Sequence, residues 1–436
     1  MGIEARVQVE LDFMDGANRE RRSIGQIRLQ AYRFELRPDQ NQSTQMRRFA
    51  GAARFVFNRG LALQKEFFKL CGSQVNYDDL CAVLVDWKQD QETAWLNDAP
   101  SQTLQQSLKN LDTAWARRFD SLRNLKHGRM SRSQLVGEPV FKKKGRRDSF
   151  RYPQGTWLEQ NNNRIFLPKL GWVRYRNSQQ MLGVVKNVTV RMSGGKWFIS
   201  IQTERTVEVA VHPSSTAVGI DMGVVRFATL SDDSFYEPLN SFGQHQAALS
   251  KAQQSMSRKQ KFSRNWKRAK SRVVRIHIRI ANARRDYLHK ASTVISKNHA
   301  IVCIEDLQVN NMSRSAAGNL ESPGTNVRAK SGLNRAILDQ GWAQFRGQLK
   351  YKLAWNGGRL IAVPAMNTSR TCPACGHVSE DNRKTQAMFC CVQCGYQANA
   401  DLVGAINVRR AGLAQIACEV NDDLSRQQQE PTSIAN

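Results

Sequence analysis

Two sets of residues in the C-terminal half have types and spacings that can do chemistry. The first is Cys372-Pro-Ala-Cys375-Gly and Cys391-Val-Gln-Cys394-Gly, two Cys-x-x-Cys pairs separated by about 15 residues, within the range of zinc sites. Each pair can bend back so that two thiolates face one ion. Glycine after the second cysteine tolerates the tight turn, and four sulfurs close a tetrahedral shell. Such a shell is structural, with no position left for a catalytic water; free thiols or a redox pair are the alternatives. Cys390 could replace Cys391, but only Cys391 keeps the two-residue gap to Cys394.

The second set is acidic. Asp221 closes the apolar run AVGID, Glu305 closes IVCIE, and Asp401 opens the last helical stretch. Acids at the carboxyl ends of strands lie where open α/β sheets gather their ligands. If the two strands are parallel neighbours, their terminal acids converge, and an Asp at a helix start can swing in as a third. Three such acids can hold two magnesium ions about 4 Å apart, which activate a water and stabilise the leaving oxygen in phosphodiester cleavage. Taken singly, Glu305 reads equally as a strand-end solvent residue and Asp401 as a helix N-cap. Asp306 competes with Glu305 but points to the opposite strand face.

These residues need elements to position them. Gln30 to Leu36 alternates like a half-buried strand, and a mostly helical region fills about 43–130. Val188, Val190 and Met192, the turn Ser193-Gly194-Gly195, then Trp197, Ile199 and Ile201 form a β-hairpin. After Pro213 the texture changes. The strand AVGID is followed by a second at Val225 to Leu230, then by a basic helix at Ser263 to Ser296. That helix has an apolar stripe of Val273, Ile276, Ile280, Ala283 and Tyr287. The run Asn310 to Asn334 is rich in Ser, Gly and Asn and reads as a long mobile loop. A helix with Trp342, Phe345, Leu349 and Leu353 ends at Gly357-Gly358, and a strand at Arg359 to Pro364 precedes the cysteines.

Composition narrows the partner. The chain has 436 residues, enough for two or three cores, and Lys plus Arg total 65 against 37 acids, a net charge of +28. That excess attracts polyanions, so nucleic acid is the expected partner, with no membrane and no small-molecule substrate. No run approaches the ~20 apolar residues of a membrane helix, and the N-terminus lacks a signal-peptide centre, which places the chain in the cytoplasm, nucleoid-associated when bound to DNA. Cations mixed with aromatics at Phe141 to Tyr152 can neutralise phosphates and stack on bases. Candidate contacts are Lys142, Lys143, Lys144, Arg146, Arg147, Arg151 and Tyr152, with Arg272, Arg275 and Arg279 on the basic helix.

The stretches GIDMGVVRFATLSD, IVCIEDLQVNNMSRS, LNRAILDQGWAQFRGQLKYKLAWNGGRLIAVPAMNTSRTCPACGH and FCCVQCGYQANADLVGAINV resemble TnpB, the RNA-guided nuclease of bacterial insertion sequences, related to compact type V CRISPR effectors. RFAGAARFVFNRGLAL and FKKKGRRDSFRY are similar to that family more loosely, so the resemblance spans roughly residues 30–412. It implies a multidomain α+β chain: an N-terminal β-barrel wedge with a helical recognition insert, then a RuvC-like RNase H-fold nuclease with an inserted zinc ribbon. The expected boundaries are a flexible extension at 1–28, the wedge at 29–43 and 131–212, and the recognition domain at 44–130. The nuclease takes 213–366 and 397–415, the ribbon 367–396, and a disordered tail 416–436.

The resemblance further implies that Asp221, Glu305 and Asp401 are catalytic and bind magnesium, with zinc on Cys372, Cys375, Cys391 and Cys394. It implies a guide RNA, double-stranded target DNA, and recognition of a short adjacent DNA motif, with base pairing reading the sequence. The expected activity is RNA-guided DNA cleavage in a transposable element, and the alternative is a guide-directed repressor with weak or no cleavage. A histidine-pair transposase is unsupported, because no two of the seven histidines flank a single apolar residue. One departure stands out. The family usually has Asn-Ala-Ala two to four positions after the third acid, whereas here Asp401 is followed by Leu402-Val403-Gly404-Ala405.

Overall fold

The computed structural model describes residues 25–72, 75–146, 148–319 and 321–429. Residues 1–24 of the expected extension, Arg147 and residues 430–436 of the expected tail lie outside the described residues. The chain divides into two compact units, one being Gln26–Val207 and the other holding Glu208–Asn436.

In the first unit β1 (Gln26–Arg37) alternates, burying Tyr32, Phe34 and Leu36. It begins within the segment read as an extension, because Gln26, Ile27 and Arg28 pair with Val207, Thr206 and Arg205. Three helices follow, α1 (Gln40–Cys71), α2 (Tyr77–Gln89) and α3 (Ser101–Lys126). Helix α1 opens with a capping box: the Gln42 N–H donates to Asp39 Oδ1 at 2.7 Å and the Asp39 N–H donates to Gln42 Oε1 at 3.2 Å. The strands β2 (Ser149–Tyr152), β3 (Trp157–Glu159), β4 (Arg164–Leu167), β5 (Gly171–Tyr175), β6 (Val184–Ser193) and β7 (Lys196–Val207) complete a seven-stranded sheet, ordered β2-β6-β7-β1-β5-β4-β3. Strand β1 is long enough to serve two neighbours, β7 along Gln26–Glu35 and β5 at Leu36 and Arg37. The inward residues of β6 and β7, Val188, Val190, Trp197, Ile199 and Ile201, join the inner faces of all three helices in one core.

In the second unit β8 (Ala217–Asp221), β9 (Ala228–Leu230) and β10 (Phe235–Tyr236) run antiparallel in succession. Two helices, α4 (Ser241–Ser257) and α5 (Arg264–Asn298), lead into β11 (Ile301–Glu305), which lies parallel to β8. Three more, α6 (Val309–Met312), α7 (Val327–Gln340) and α8 (Trp342–Asn356), cross over to β12 (Arg359–Val363), parallel to β11 on its other side. The sheet order is β10-β9-β8-β11-β12. A small hairpin of β13 (Met388–Cys390) and β14 (Gln397–Asn399) precedes α9 (Ala400–Gln429). No described helix is long and apolar enough to cross a membrane.

Three expectations are corrected. Residues 310–334 are not one long loop, since α6 and α7 occupy part of them and Ile337 of α7 is buried in the core. The second strand is shorter than Val225 to Leu230, because the chain bends up to Phe227. Residues 416–429 are not a disordered tail but continue α9, where Leu413 and Ile416 pack with Ile361 and Val363. The apolar face of α9 outlasts the point where the sequence turns polar.

Helix α9 lies directly on the sheet. A Cβ added at Gly219 of β8 would stand 2.1 Å from the Ala405 carbonyl oxygen and 2.5 Å from the Arg409 nitrogen, so only glycine permits this approach.

Candidate active site and metal centre

Parallel pairing brings the strand-end acids together. Ile304 of β11 pairs with Ile220 of β8, so Glu305 and Asp221, one residue further on, emerge at the same sheet edge. Asp401 arrives in the first turn of α9, the helix packed across β8. It is not the helix cap. Asn399 takes that role, its Oδ1 accepting from the N–H groups of Asp401 at 3.0 Å and Leu402 at 3.3 Å, which leaves the Asp401 carboxylate free for other work.

The three acids interact electrostatically. Burial, then the negative charges of Glu305 and Asp401, push the Asp221 carboxyl up to about 7, against the opposing pull of Arg383 and the Met222 N–H. Burial also raises Glu305, opposed by a hydrogen bond from Thr368 and by Arg383. Two neighbouring carboxyls, Asp221 and Glu305, that resist losing their protons mark a site short of positive charge. Its donors are carboxylate oxygens, hard ligands suited to magnesium or manganese rather than to soft metals.

Three residues that the sequence reading missed complete this site. Arg383, between the two cysteine pairs, ion-pairs with Asp401 at 3.4 Å and is the cation that opposes the raised pKa of both other acids. The Thr368 hydroxyl donates to Glu305 Oε1 at 2.7 Å. The Asn407 amide donates to the carbonyls of Thr368 at 2.8 Å and Thr371 at 2.7 Å, tying α9 to the chain entering the cysteines. No spacing pattern marks a threonine or an arginine of this kind; Asn407, two turns beyond Asp401 in a buried helix, is the one polar residue that periodicity could have singled out. Asp306 is turned away and paired with Arg346, as the alternation of β11 requires.

The departures after Asp401 have a physical account. Val403 is buried with Cys372, Phe389, Cys391 and Ala400, so it faces the cysteine cluster and not the acids. Gly404 faces Asp221, whose Oδ2 would lie 2.9 Å from a Cβ added there.

The four cysteines form a cluster able to hold a metal. Their sulfurs all lie within 4.8 Å of one another, a spacing that no other group of three or more His, Cys, Asp or Glu matches among the described residues. Cys372 and Cys394 stand 3.6 Å apart, as do Cys375 and Cys391. A tetrahedron with metal–sulfur bonds of about 2.3 Å has edges of about 3.8 Å, so the cluster has the size zinc requires. Gly376 and Gly395, at φ +78° and +71°, turn each pair back on itself, as their N–H bonds to the Cys372 and Cys391 carbonyls show. Cys390 is exposed and outside the cluster.

The basic candidates divide. Lys143, Lys144 and Arg146 are exposed beside β2, and Arg151 is half-buried within it. Lys142 is exposed as a residue, but its ammonium sits 3.6 Å from the Phe57 ring centroid, and this desolvation brings its pKa down to about 8. Tyr152 is a correction: it is 1% exposed, packs edge-on to Phe150 and donates its hydroxyl to the Pro168 carbonyl, so it cannot stack on a base. The alternation of β2 turns Phe150 and Tyr152 inward together. Arg272, Arg275 and Arg279 are exposed along α5, beside Lys251 of α4 in a shared groove.

Comparison with known proteins settles the family. Residues 200–316 match the family described as "Probable transposase", 342–408 the "Cas12f1-like, TNB domain" and 28–71 a "Helix-turn-helix domain", the last folding here as most of β1 followed by α1. The Escherichia coli K12 protein named "Putative RNA-guided DNA endonuclease InsQ" is 53% identical over 93% of this chain and 98% of its own length. The chain belongs to the TnpB family. A Streptomyces pristinaespiralis relative with the same endonuclease designation is 31% identical, over 89% of this chain and 90% of its own. Among solved structures, a "Cas12f1-sgRNA-target DNA complex" covers 85% of this chain and 83% of its own at 15% identity and a TM-score of 0.47.

Proposed function

We propose that this chain is an RNA-guided DNA endonuclease of a transposable element, which hydrolyses target phosphodiesters by a two-metal-ion mechanism after recognising a short adjacent motif and pairing the guide RNA. The observation that carries this reading is the convergence of Asp221, Glu305 and Asp401 from β8, β11 and α9, close enough for the other two acids to raise Asp221. The names of the InsQ and Streptomyces pristinaespiralis relatives support it. The order β10-β9-β8-β11-β12, antiparallel then parallel, supports a RuvC-like RNase H sheet, and the seven-stranded sheet around β1 supports a wedge barrel. Helices α1–α3 fit the recognition insert.

Asp221, Glu305 and Asp401 would hold magnesium, which when bound lowers the pKa of water and balances charge developing on the phosphate. The protein's own contribution is positional. Thr368 fixes the Glu305 carboxylate, Asn407 fixes Thr368, and Arg383 places a guanidinium at the acids where a phosphate would sit. Zinc on Cys372, Cys375, Cys391 and Cys394 would brace the segment that carries Arg383.

The test is cleavage of a target plasmid by the chain loaded with guide RNA and magnesium. The wild type is expected to cut, and Asp221→Ala, Glu305→Ala and Asp401→Ala each to lose at least about a thousandfold, ~4 kcal/mol of transition-state stabilisation, while Asp306→Ala cuts normally. Tight target binding by the wild type without cutting would identify a repressor instead.

A further inference from the structure

The outer face of β5, β4 and β3 carries two cross-strand rows that the core does not use. In one, Trp172 pairs with Phe166 and Phe166 with Trp157, the ring centroids 5.6 Å and 4.9 Å apart. In the other, Arg37 of β1 pairs with Arg174 and Arg174 with Arg164. Trp157 remains 60% exposed and Trp172 39%, while Ile165, Leu167 and Val173 are buried beneath. The Arg164 guanidinium lies 4.6 Å over the Trp172 ring and is ion-paired with Glu159. Arg37 and Arg174 are exposed and form no ion pair among the described residues.

Cross-strand aromatic pairs stabilise a sheet by themselves, but like charges placed directly opposite destabilise it. Glu159, the cross-strand partner of Arg164, already offsets that arginine, so the cost falls on Arg37 and Arg174, and an anion laid across these two would remove it. The neighbouring aromatic row supplies what a simple anion would not need, apolar ring surface in reach of solvent, most of it on Trp157. Phosphates for the guanidiniums and unpaired bases for the rings are the two halves of single-stranded nucleic-acid recognition. Strand spacing of about 4.8 Å exceeds the separation of stacked bases, so the rings suit splayed bases and not a duplex.

We propose that this face is a stacking platform for an unpaired stretch of RNA, with bases on the aromatic row led by Trp157 and phosphates on Arg37 and Arg174. This rests on the guided-nuclease reading, in which RNA is the resident strand. The unit Gln26–Val207 holds none of the three acids, so a strand seated on it need not be the one that is cut.

The test uses the full chain freed of RNA and an RNA of about 12 nucleotides carrying a photoreactive uridine. The same sequence as single-stranded DNA and as an RNA duplex provides the comparison. Crosslinks should map to Trp157 or Trp172. Trp157→Ala/Trp172→Ala should lower affinity for the single-stranded RNA about 10- to 100-fold with an unchanged salt slope, while Trp157→Phe/Trp172→Phe stays within about threefold. Arg174→Gln should weaken binding and reduce the salt slope by about one. Crosslinks confined to other segments, equal binding of the duplex, or tighter binding of single-stranded DNA would each overturn the proposal. So would a double-alanine variant, folded by circular dichroism, that changes the chain's mass in solution and leaves RNA affinity intact. Binding is read without cleavage: a failed platform leaves plasmid cutting intact, and a failed nuclease reading leaves the crosslinks.

Discussion

Asp221→Asn should stabilise the magnesium-free protein at the same time as it abolishes cleavage. The Asp221 carboxyl titrates at about 7 in the folded chain because of burial and the charges of Glu305 and Asp401, against about 4 in the unfolded chain. The folded state therefore binds more protons between these values, and stability is present at low pH and lost as pH rises from about 4 through 7. At ~1.36 kcal/mol per unit the full penalty is about 4 kcal/mol. Asp221 is only half-buried, and solvent screening reduces this to about 2 kcal/mol. For a unit of 150–250 residues that corresponds to about 4–8 °C in Tm. The assay is thermal unfolding of zinc-loaded, magnesium-free protein from pH 5 to 8, comparing wild type with Asp221→Asn, since every other ionisable group is common to both. The variant should exceed the wild type by about a third of the full gap at pH 5 and by all of it at pH 8. Added magnesium should raise the wild type at pH 8 and not the variant. Parallel pH curves, a less stable variant at pH 8, or no response of the wild type to magnesium would refute this account of the acids.

Purified protein should contain one zinc per chain by atomic absorption. Cys372→Ser or Cys394→Ser should abolish it and Cys390→Ser should keep it, with cleavage lost alongside the metal because Arg383 and Asp401 flank the cluster. Arg383→Ala should reduce single-turnover cleavage by about tenfold or more at saturating magnesium while leaving target binding unchanged, and Arg383→Lys should recover only part, since a point charge does not replace a planar fork. Gly219→Ala should destabilise the chain by about 3 kcal/mol or more in urea unfolding, because the added carbon meets the backbone of α9, which cannot yield.

The candidate ligands can be picked out of the sequence because their constraints are local. Two Cys-x-x-Cys pairs followed by glycine state a metal geometry in five residues each, and an apolar run ending in an acid states a buried strand with a charged tip. Alternation likewise announced β1, β6 and β7, and helical spacing announced α1, α5 and α8. What depends on contacts between distant segments was not legible. Periodicity cannot say that β8 and β11 are parallel neighbours, which is what brings Asp221 and Glu305 to one edge. It cannot say that Gly219 lets α9 touch the sheet, or that Asn399 caps α9 and releases Asp401. Tyr152 was misread because an aromatic among cations looks alike inside and out until pairing with β6 turns it inward. The tail was misread because composition describes a whole window, whereas Ile416 needs one apolar stripe to be buried. Residue types and spacing thus determined which groups can ligate a metal. Only the tertiary structure decided which of them meet, and it brought Arg383, Thr368 and Asn407 to them, because strand pairing and close packing are relations between segments that no local pattern encodes.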